Sequence, residues 1–327
     1  MNIKLIEDNY GITIKKIEMI KTNAYCIETN DDRKYFIKKS RVEKEKVDKI
    51  IKLFNYLETT DFSCHLIKFL KTKTDGYYFI ANKDIFLLSY WVDSITFDYS
   101  HENDIVNAIL ILNKLHRTTE NTNILKGEYY PQYETVFRKK LSQIIWFLNI
   151  IQQKGKNTFF DKLFKKSVNE FYNRFEKCII LTKNIYELFI KHNNRVIIHH
   201  DTAHHNFLKS KTQLYLIDFD YTLYDYEIHD YVNLLVRILR TNEWNLSYLK
   251  LFLKVLDHFN IKKKLWIEMI IILMLFPQEI WQVGLQYYDE KQPWDEEYFI
   301  KRLKSAIEIQ KRKEEVIKRF WGDIFVY

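Results

Sequence analysis

Apolar and polar residues alternate along the first part of the chain in a way that is typical of half-buried β-strands. Residues 24–29 and 33–38 both show this alternation, and the Asn-Asp-Asp segment between them favours a tight turn. Residues 12–20 form an earlier apolar run of similar character. The pattern predicts three antiparallel strands connected as a meander.

The period then changes to that of a helix and back again. Over residues 42–59 the apolar positions recur at helical spacing. Residues 66–72, 76–81 and 85–91 return to strand-like composition. Three strands, a helix and further strands make a compact α+β lobe, which we expect to occupy residues 1–91.

The rest of the chain, residues 92–327, is predicted to be a large helical lobe. Apolar stripes at helical spacing mark helices at 105–115, 136–148 and 168–179, and helices resume after residue 230. Two short apolar segments, 195–198 and 214–219, interrupt the helices and enclose a polar loop. Functional side chains often lie on such loops because a rigid scaffold holds them in place.

Composition narrows the classes of protein without identifying one. The chain has 327 residues, of which 47% are hydrophobic, and only 6 are Gly and 3 Pro, so a large core and long helices are expected. Lys and Arg exceed Asp and Glu by 51 to 43, but they are interspersed. We interpret them as solvated helix faces and predict no nucleic-acid partner. Three distant cysteines indicate neither a disulfide framework nor a zinc knuckle.

No targeting or membrane segment is predicted. The first ten residues include Lys4, Glu7 and Asp8 and lack the apolar core of a signal peptide. The longest apolar stretch, residues 269–276, is too short to span a bilayer. We therefore expect synthesis in the cytoplasm and no membrane span.

The polar loop carries the residues that phosphoryl transfer requires. This chemistry needs a carboxylate near the attacking hydroxyl, oxygen ligands for Mg²⁺ and a cation on the phosphates. His199, Asp201 and Asn206 have the spacing of a kinase catalytic loop, and Asp218 follows a short apolar strand twelve residues later. Lys38, at the end of a strand in the first lobe, is the candidate phosphate-binding cation.

Several assignments stay open at this point. Lys39 is a rival to Lys38. The carboxylate partner of the lysine is expected on the first helix, where Glu43, Glu45 and Glu58 are candidates and Glu45 is favoured. Two further acidic residues have alternative roles. Asp220 would bind metal or end the strand, and Asp230 would cap the next helix or hold the catalytic loop. A zinc site at His200 and His204 is the less favoured interpretation of this histidine-rich loop.

The segments 198–206 and 216–221 resemble the aminoglycoside phosphotransferase and choline kinase superfamily, and within it the CotS-type spore coat proteins. Supporting stretches extend along nearly the whole chain: 35–40, 72–77, 112–116, 230–237, 277–281 and the tail around Tyr287 and Trp294. The resemblance implies a bilobal protein-kinase-like fold, with a nucleotide-binding lobe at 1–91 and a helical lobe at 92–327 that carries the catalytic loop and the acceptor site. It implies ATP and Mg²⁺ as cofactors.

The resemblance also implies roles for individual residues. Asp201 would be the catalytic base and His199 a member of the catalytic loop. Asn206 and Asp218 would hold Mg²⁺, and Lys38 would contact the phosphates. The hinge beside the adenine would be formed by Ser89, Tyr90, Trp91 and Val92. One departure from the kinase pattern is the loop at 21–23, which contains no glycine.

Three functions follow as hypotheses. The first is a kinase-like spore coat protein, with other coat proteins as partners and a location in the spore coat. The second is an active kinase for a sugar, amino alcohol or amino acid, unconnected with the coat. The third is a purely structural coat component. The acceptor substrate is unknown, and the segments 128–133 and 281–294 are expected to form its pocket.

Overall fold

The computed structural model describes residues 2–129, 131–192, 194–258 and 263–322. The chain divides into two compact units. The first contains Met1–Tyr129 and Arg195–Asp230, and the second contains Tyr130–Asn194 and Tyr231–Tyr327.

The first unit opens with a helix, a five-stranded antiparallel sheet and a second helix. The elements are α1 (Ile3–Tyr10), β1 (Ile14–Lys21), β2 (Ala24–Thr29), β3 (Lys34–Lys39), α2 (Lys44–Glu58), β4 (Tyr78–Ala81) and β5 (Asp84–Tyr90). The strands lie in the order β1-β2-β3-β5-β4. The predicted three-strand meander is confirmed, because β1 pairs with β2 and β2 with β3.

The two faces of this sheet are covered by different helices. On one face, Ile27, Ile37 and Leu88 pack with Ile6 and Tyr10 of α1. A separate cluster joins Val47 of α2 to Ile85 and Leu87 of β5. Successive residues of a strand point to opposite faces, so Leu88 joins the first cluster and Leu87 the second.

One expectation for this region was wrong, and one helix was not predicted. Residues 66–72 do not form a full strand, and their contact with the sheet is a single bridge between Phe69 and Ser89. The Thr72 hydroxyl accepts a hydrogen bond from the Gly76 backbone 3.1 Å away, which turns the chain before a longer ladder can form. Helix α1 was not predicted. Its eight residues are too few to show a clear helical period, although Asn2 caps one end and Gly11 the other.

The remainder of the first unit contains one helix and two small sheets. The elements are β6 (Ile95–Thr96), α3 (Glu102–Thr118), β7 (Val196–Ile198), β8 (Phe207–Lys209), β9 (Leu214–Leu216) and β10 (Leu223–Asp225). One sheet has the order β6-β8-β9, and the other pairs β7 with β10. The strand predicted over 214–219 therefore ends earlier, at Leu216.

In the described part of the second unit the regular elements are helices. The chain enters this unit after Tyr129, leaves it after Asn194 and enters it again within α6 (Ile228–Thr241). The other helices are α4 (Tyr133–Gln153), α5 (Phe159–His192), α7 (Leu246–His258), α8 (Lys263–Leu275), α9 (Gln278–Gly284) and α10 (Glu296–Trp321). Leu285–Asp289 forms one wide π-type turn after α9. This unit confirms the large helical content that the apolar stripes predicted.

Aromatic rings fill much of the core of the second unit. Phe137 stacks on Phe276 at 4.0 Å between ring centroids, and Phe160 stacks on Tyr287 at the same distance. Among the described residues, one stretch, Ile267–Asp289, is long and apolar enough to cross a membrane by length and composition. Because 61% of its apolar window is buried in the protein, it is weak evidence for a membrane span.

Candidate active site

The β8–β9 hairpin brings the two candidate metal ligands to one place. Phe207 pairs with Leu216, so Asn206 just before β8 lies opposite Ile217 just after β9. The Ile217 backbone N–H donates to the Asn206 carbonyl at 3.0 Å and extends the ladder by one step. Asp218 is the next residue. The twelve-residue spacing in the sequence is thus the length of a closed hairpin.

Asp218 leaves the hairpin in a left-handed backbone conformation, with φ 66° and ψ 65°. Aspartate tolerates this conformation better than most residues that have a side chain. The turn directs the chain into the short 3₁₀ helix Phe219–Tyr221.

Lys38 of β3 reaches the carboxylates of this turn. Its Nζ lies 2.5 Å from Oδ1 of Asp218 and 2.7 Å from Oδ2 of Asp220. Burial would raise the pKa of Asp218, but the charge and hydrogen bond of Lys38 outweigh it and hold that pKa below the ordinary value. Lys39 instead pairs with Asp84 at 2.7 Å. The structure therefore brings Lys38, and not Lys39, to the turn.

The candidate base is tied to one of the candidate metal ligands. The side-chain amide of Asn206 donates to the backbone carbonyl of Asp201 at 3.0 Å and to its carboxylate Oδ2 at 3.1 Å. Because the amide nitrogen is used in this way, the amide oxygen is the atom of Asn206 that remains to bind a cation.

Asp230 anchors the loop that contains His199 and His200, the candidate catalytic loop. This completely buried carboxylate accepts hydrogen bonds from the backbone N–H groups of His199 at 2.8 Å and His200 at 2.7 Å. His116 of α3 adds a third contact at 2.8 Å. Of the two roles left open for Asp230, a helix cap or an anchor of the loop, these contacts support the anchor.

The charges in this buried cluster are mutually dependent. Burial alone would lower the pKa of His116, but its hydrogen bonds to Asp230 and Glu227 raise it to about 9. Burial likewise opposes ionisation of Asp230, and the His116 contact reverses that effect and lowers its pKa. The pair is therefore ionic near neutral pH.

His199 has a structural position in the loop. Its imidazole Nε2 lies 2.9 Å from the Ile217 carbonyl, which means that Nε2 carries the proton. Its ring lies 5.1 Å from that of Phe219. These contacts connect the loop to the turn that carries Asp218. His200 has a positive φ of 66°, and burial lowers its pKa. In the described part of the chain no group of three or more His, Cys, Asp or Glu side chains is arranged to hold a metal ion.

The structure does not bring Glu45 to Lys38, which corrects that expectation. The Glu45 side chain is 82% exposed, and it pairs with Lys49 one turn further along α2. Glu43 precedes the first residue of the helix. The helical period could not show this, because it fixes which residues share a face but not which face meets Lys38.

The predicted hinge residues lie where β5 ends. Ser89 is buried, and its neighbour Tyr90 is half exposed. The Trp91 backbone N–H donates to the Lys34 carbonyl at 3.2 Å, and the Val92 carbonyl accepts from the Ser94 hydroxyl. The chain therefore leaves the sheet at Trp91 and Val92.

Sequence reasoning missed three residues around the site. Lys46 of α2 donates to the Thr222 carbonyl at 2.5 Å, and both Lys46 and Lys49 bind Glu128. His116 was part of a recognised stretch but had no assigned role. Nothing in the local pattern distinguishes these residues from surface charges, because their partners are 82, 79 and 114 positions away.

The donor set fits a magnesium ion that is shared with phosphate groups. Mg²⁺ binds oxygen and is commonly held by one or two carboxylates together with phosphate oxygens of the substrate. Asp218 supplies a carboxylate and Asn206 an amide oxygen. Lys38 is close enough to Asp218 to bind a phosphate that such an ion would share.

The fold places the chain in the class of proteins with a kinase-like phosphotransferase fold. Solved structures agree. The chain is similar over 100% of its length to an aminoglycoside phosphotransferase from Alicyclobacillus acidocaldarius, covering 97% of that chain, with a TM-score of 0.83 and 14% identity. It is similar to spectinomycin phosphotransferase APH(9)-Ia bound to ADP and spectinomycin, with a TM-score of 0.64, 17% identity and coverage of 96% and 97%. Choline kinase LicA from Streptococcus pneumoniae gives 0.57, 18%, and coverage of 94% and 96%.

The family is more specific than the fold. Residues 3–320 match the family model described as "Spore coat putative kinase YutH". The chain belongs to this spore coat kinase-like family, which confirms the predicted CotS-type membership within the aminoglycoside phosphotransferase and choline kinase superfamily. The search of curated proteins gave no match.

Proposed function

We propose that this protein is an ATP- and Mg²⁺-dependent phosphotransferase of the spore coat. The observation that carries the proposal is the contact of Lys38 with Asp218, in the same unit that holds Asn206 against Asp201. One unit thus contains a phosphate-binding cation, two oxygen donors for a metal and a carboxylate for the acceptor. Among structures with a similar fold, an amicoumacin kinase is described in complex with AMP-PNP, Ca²⁺ and Ami.

Each residue has a distinct part in the proposed mechanism. Asp201 orients the acceptor hydroxyl and takes its proton as the phosphoryl group is transferred. Asn206 keeps the Asp201 carboxylate in place. Lys38 neutralises charge on the phosphates. Asp218 and Asn206 would hold Mg²⁺, and the bound ion would neutralise charge on the phosphate oxygens.

The wider arrangement follows the same proposal. Residues 1–91 act as the nucleotide-binding lobe, with Ser89, Tyr90, Trp91 and Val92 beside the adenine. Residues 92–327 carry the catalytic loop and the acceptor site, for which the segments 128–133 and 281–294 are the candidates; Tyr130 lies outside the described residues. Glu128 is already paired with Lys46 and Lys49, so it is the least available acceptor contact of its segment.

Nucleotide binding tests the proposal directly. Thermal unfolding is measured with and without millimolar Mg-ATP, and ligand at 100 times its Kd should stabilise the protein by about 2.7 kcal/mol. Lys38→Met should weaken binding. Lys39→Met is the matched control, because it removes the adjacent ammonium, which pairs with Asp84. No thermal shift for the wild type at millimolar Mg-ATP would refute the nucleotide-dependent activity.

Asp201→Asn separates binding from transfer. The variant should bind Mg-ATP much as the wild type does, while phosphate release from ATP should fall about 10²-fold or more, the range for loss of a general base. Equal phosphate release by both proteins would show that Asp201 is not the base.

A purely structural role in the coat is the second candidate, and the family assignment favours it equally. It predicts protein in the purified coat fraction whose assembly is unaffected by Asp201→Asn. A protein found in vegetative cells and absent from purified spores would contradict any role in the coat.

A further inference from the structure

One face of α2 meets the segment that follows Asp218. Phe54 lies edge-on to Phe219 at 5.0 Å between ring centroids. Lys46, eight residues earlier, donates to the Thr222 carbonyl at 2.5 Å. Residues eight apart lie on one side of a helix. Lys46 and Phe54 therefore define the face of α2 that is closest to the site.

Two carboxylates of the first half of α2, Glu45 and Asp48, are engaged away from Lys38. In protein kinases the helix that packs against the sheet supplies a glutamate to the strand lysine. Here Glu45 is largely exposed and pairs with Lys49, and Asp48 accepts a hydrogen bond from the Tyr78 hydroxyl at 2.8 Å. In this half of the helix the Lys46 ammonium, and not a carboxylate, contacts the segment that follows Asp218.

Asp220 supplies the missing carboxylate from another element. Its side chain is only 12% exposed, and its Oδ2 lies 2.7 Å from Lys38 Nζ. This oxygen is buried and makes no hydrogen bond within the described part of the chain, so its contact with the Lys38 ammonium is an ion pair. Asp218 also contacts Lys38, but its carboxylate is the one expected to bind metal. Asp220 remains available to Lys38 whether or not Asp218 binds a metal ion.

We infer that Asp220 is the residue that positions Lys38 for phosphate binding, in the role that a helix glutamate has in other kinases. The inference rests on the proposed function, since it concerns how the same site binds a nucleotide. Lys46 belongs to the same arrangement. Its ammonium binds both the Thr222 carbonyl, two residues after Asp220, and the Glu128 carboxylate. These contacts hold α2 near the turn, while the partners of Lys38 come from the turn itself.

The affinity for AMP-PNP, measured by calorimetry at saturating Mg²⁺, tests this role. The set of proteins is the wild type, Asp220→Asn, Lys38→Met, the double variant and Asp84→Asn. Asp84→Asn is the matched control, because it removes the carboxylate of the neighbouring Lys39. Asp220→Asn should weaken AMP-PNP binding about tenfold, because Lys38 loses one of its two carboxylate contacts. The control should bind as the wild type does.

The double variant distinguishes positioning from metal binding. If Asp220 acts through Lys38, the double variant binds no more weakly than Lys38→Met alone, and the Mg²⁺ concentration needed for half-maximal binding is unchanged in Asp220→Asn. Additive losses, or a raised Mg²⁺ requirement, would show that Asp220 is a metal ligand and would overturn the inference. Asp220→Glu, which retains the carboxylate, should recover part of the affinity and also covers the case in which Asp220→Asn folds poorly.

Failure of the proposed function gives a different result. If the wild type binds no nucleotide, the proposed function is wrong, and the pairing is then tested by urea unfolding of the wild type, the two single variants at Lys38 and Asp220, and the double variant. Independent effects of Lys38→Met and Asp220→Asn on the unfolding midpoint would overturn the pairing as well. Non-additive effects would retain Asp220 as the partner of Lys38 in a protein that does not bind nucleotide.

Discussion

The ion pair between His116 and Asp230 should make the stability of this protein fall at alkaline pH. The pKa of His116 is about 9 in the folded protein and about 6.5 in an unfolded chain. A raised pKa contributes stability that is complete below pH 6.5 and is lost as pH rises through 9. At 1.36 kcal/mol per pKa unit, a shift of this size corresponds to roughly 3 kcal/mol.

Asp230→Asn is the perturbation that isolates this effect. The substitution keeps the shape of the side chain but removes the charge, so the pKa of His116 should fall and the alkaline loss of stability should disappear. The variant should be less stable by about 3 kcal/mol near pH 6, since two backbone N–H groups and His116 lose an ionised acceptor. The difference from the wild type should then shrink toward pH 9.

Urea unfolding at a series of pH values between 6 and 9.5 measures both quantities. His101→Gln is the control, because that side chain is 69% exposed and its loss should leave the pH profile unchanged. A wild-type profile that is flat across this range, or one that Asp230→Asn leaves equally steep, would refute the assignment of an ionic pair beneath the catalytic loop.

Three further outcomes are expected. Burial lowers the pKa of His229 to about 3, so stability should fall below pH 6.5 by up to about 1.4 kcal/mol per pH unit, and His229→Asn should flatten this limb in urea unfolding. Gly284→Ala should lower the free energy of unfolding by about 1–3 kcal/mol, since its Cβ would lie 2.6 Å from the ring of Phe164. Gly155→Ala is the control, because the space around Gly155 is open, and it should change the free energy by no more than about 0.5 kcal/mol. Equal urea midpoints for the two variants would contradict the packing around Gly284. Phe54→Ala should cost about 3–5 kcal/mol by the same assay, and a change below about 1 kcal/mol would place Phe54 outside the core.

The loop and hairpin were predictable because their signals are local. A polar run between two apolar strands indicates a functional loop, and the spacing of Asn206 and Asp218 is set by one hairpin. The three-strand meander was predictable for the same reason, since each strand pairs with its sequence neighbour. Such contacts join residues that are close in the sequence, and the alternation of apolar and polar residues along each strand can be seen in the sequence itself.

The partners of the site residues were not predictable in the same way. Lys38 and Asp218 are 180 residues apart, and no periodicity links them. The choice between Lys38 and Lys39 depended on which face of β3 meets the turn, and adjacent residues of a strand face opposite sides. The expected pairing of Lys38 with Glu45 required Glu45 to lie on the face of α2 nearest the site. That face instead carries Phe54 and Lys46. Buried charges such as Asp230 carry no sequence mark that separates them from helix caps.

The β8–β9 hairpin also has a practical consequence for experiments in the cell. Its strands are held by their own ladder, and the turn between them, at Lys211, Thr212 and Gln213, is exposed. A short epitope or a fluorescent label inserted there would extend a surface loop, whose closure cost grows only slowly with length. The distance between Asn206 and Asp218 would not change. The position of the protein in sporulating cells could thus be determined by microscopy without a change to the candidate site.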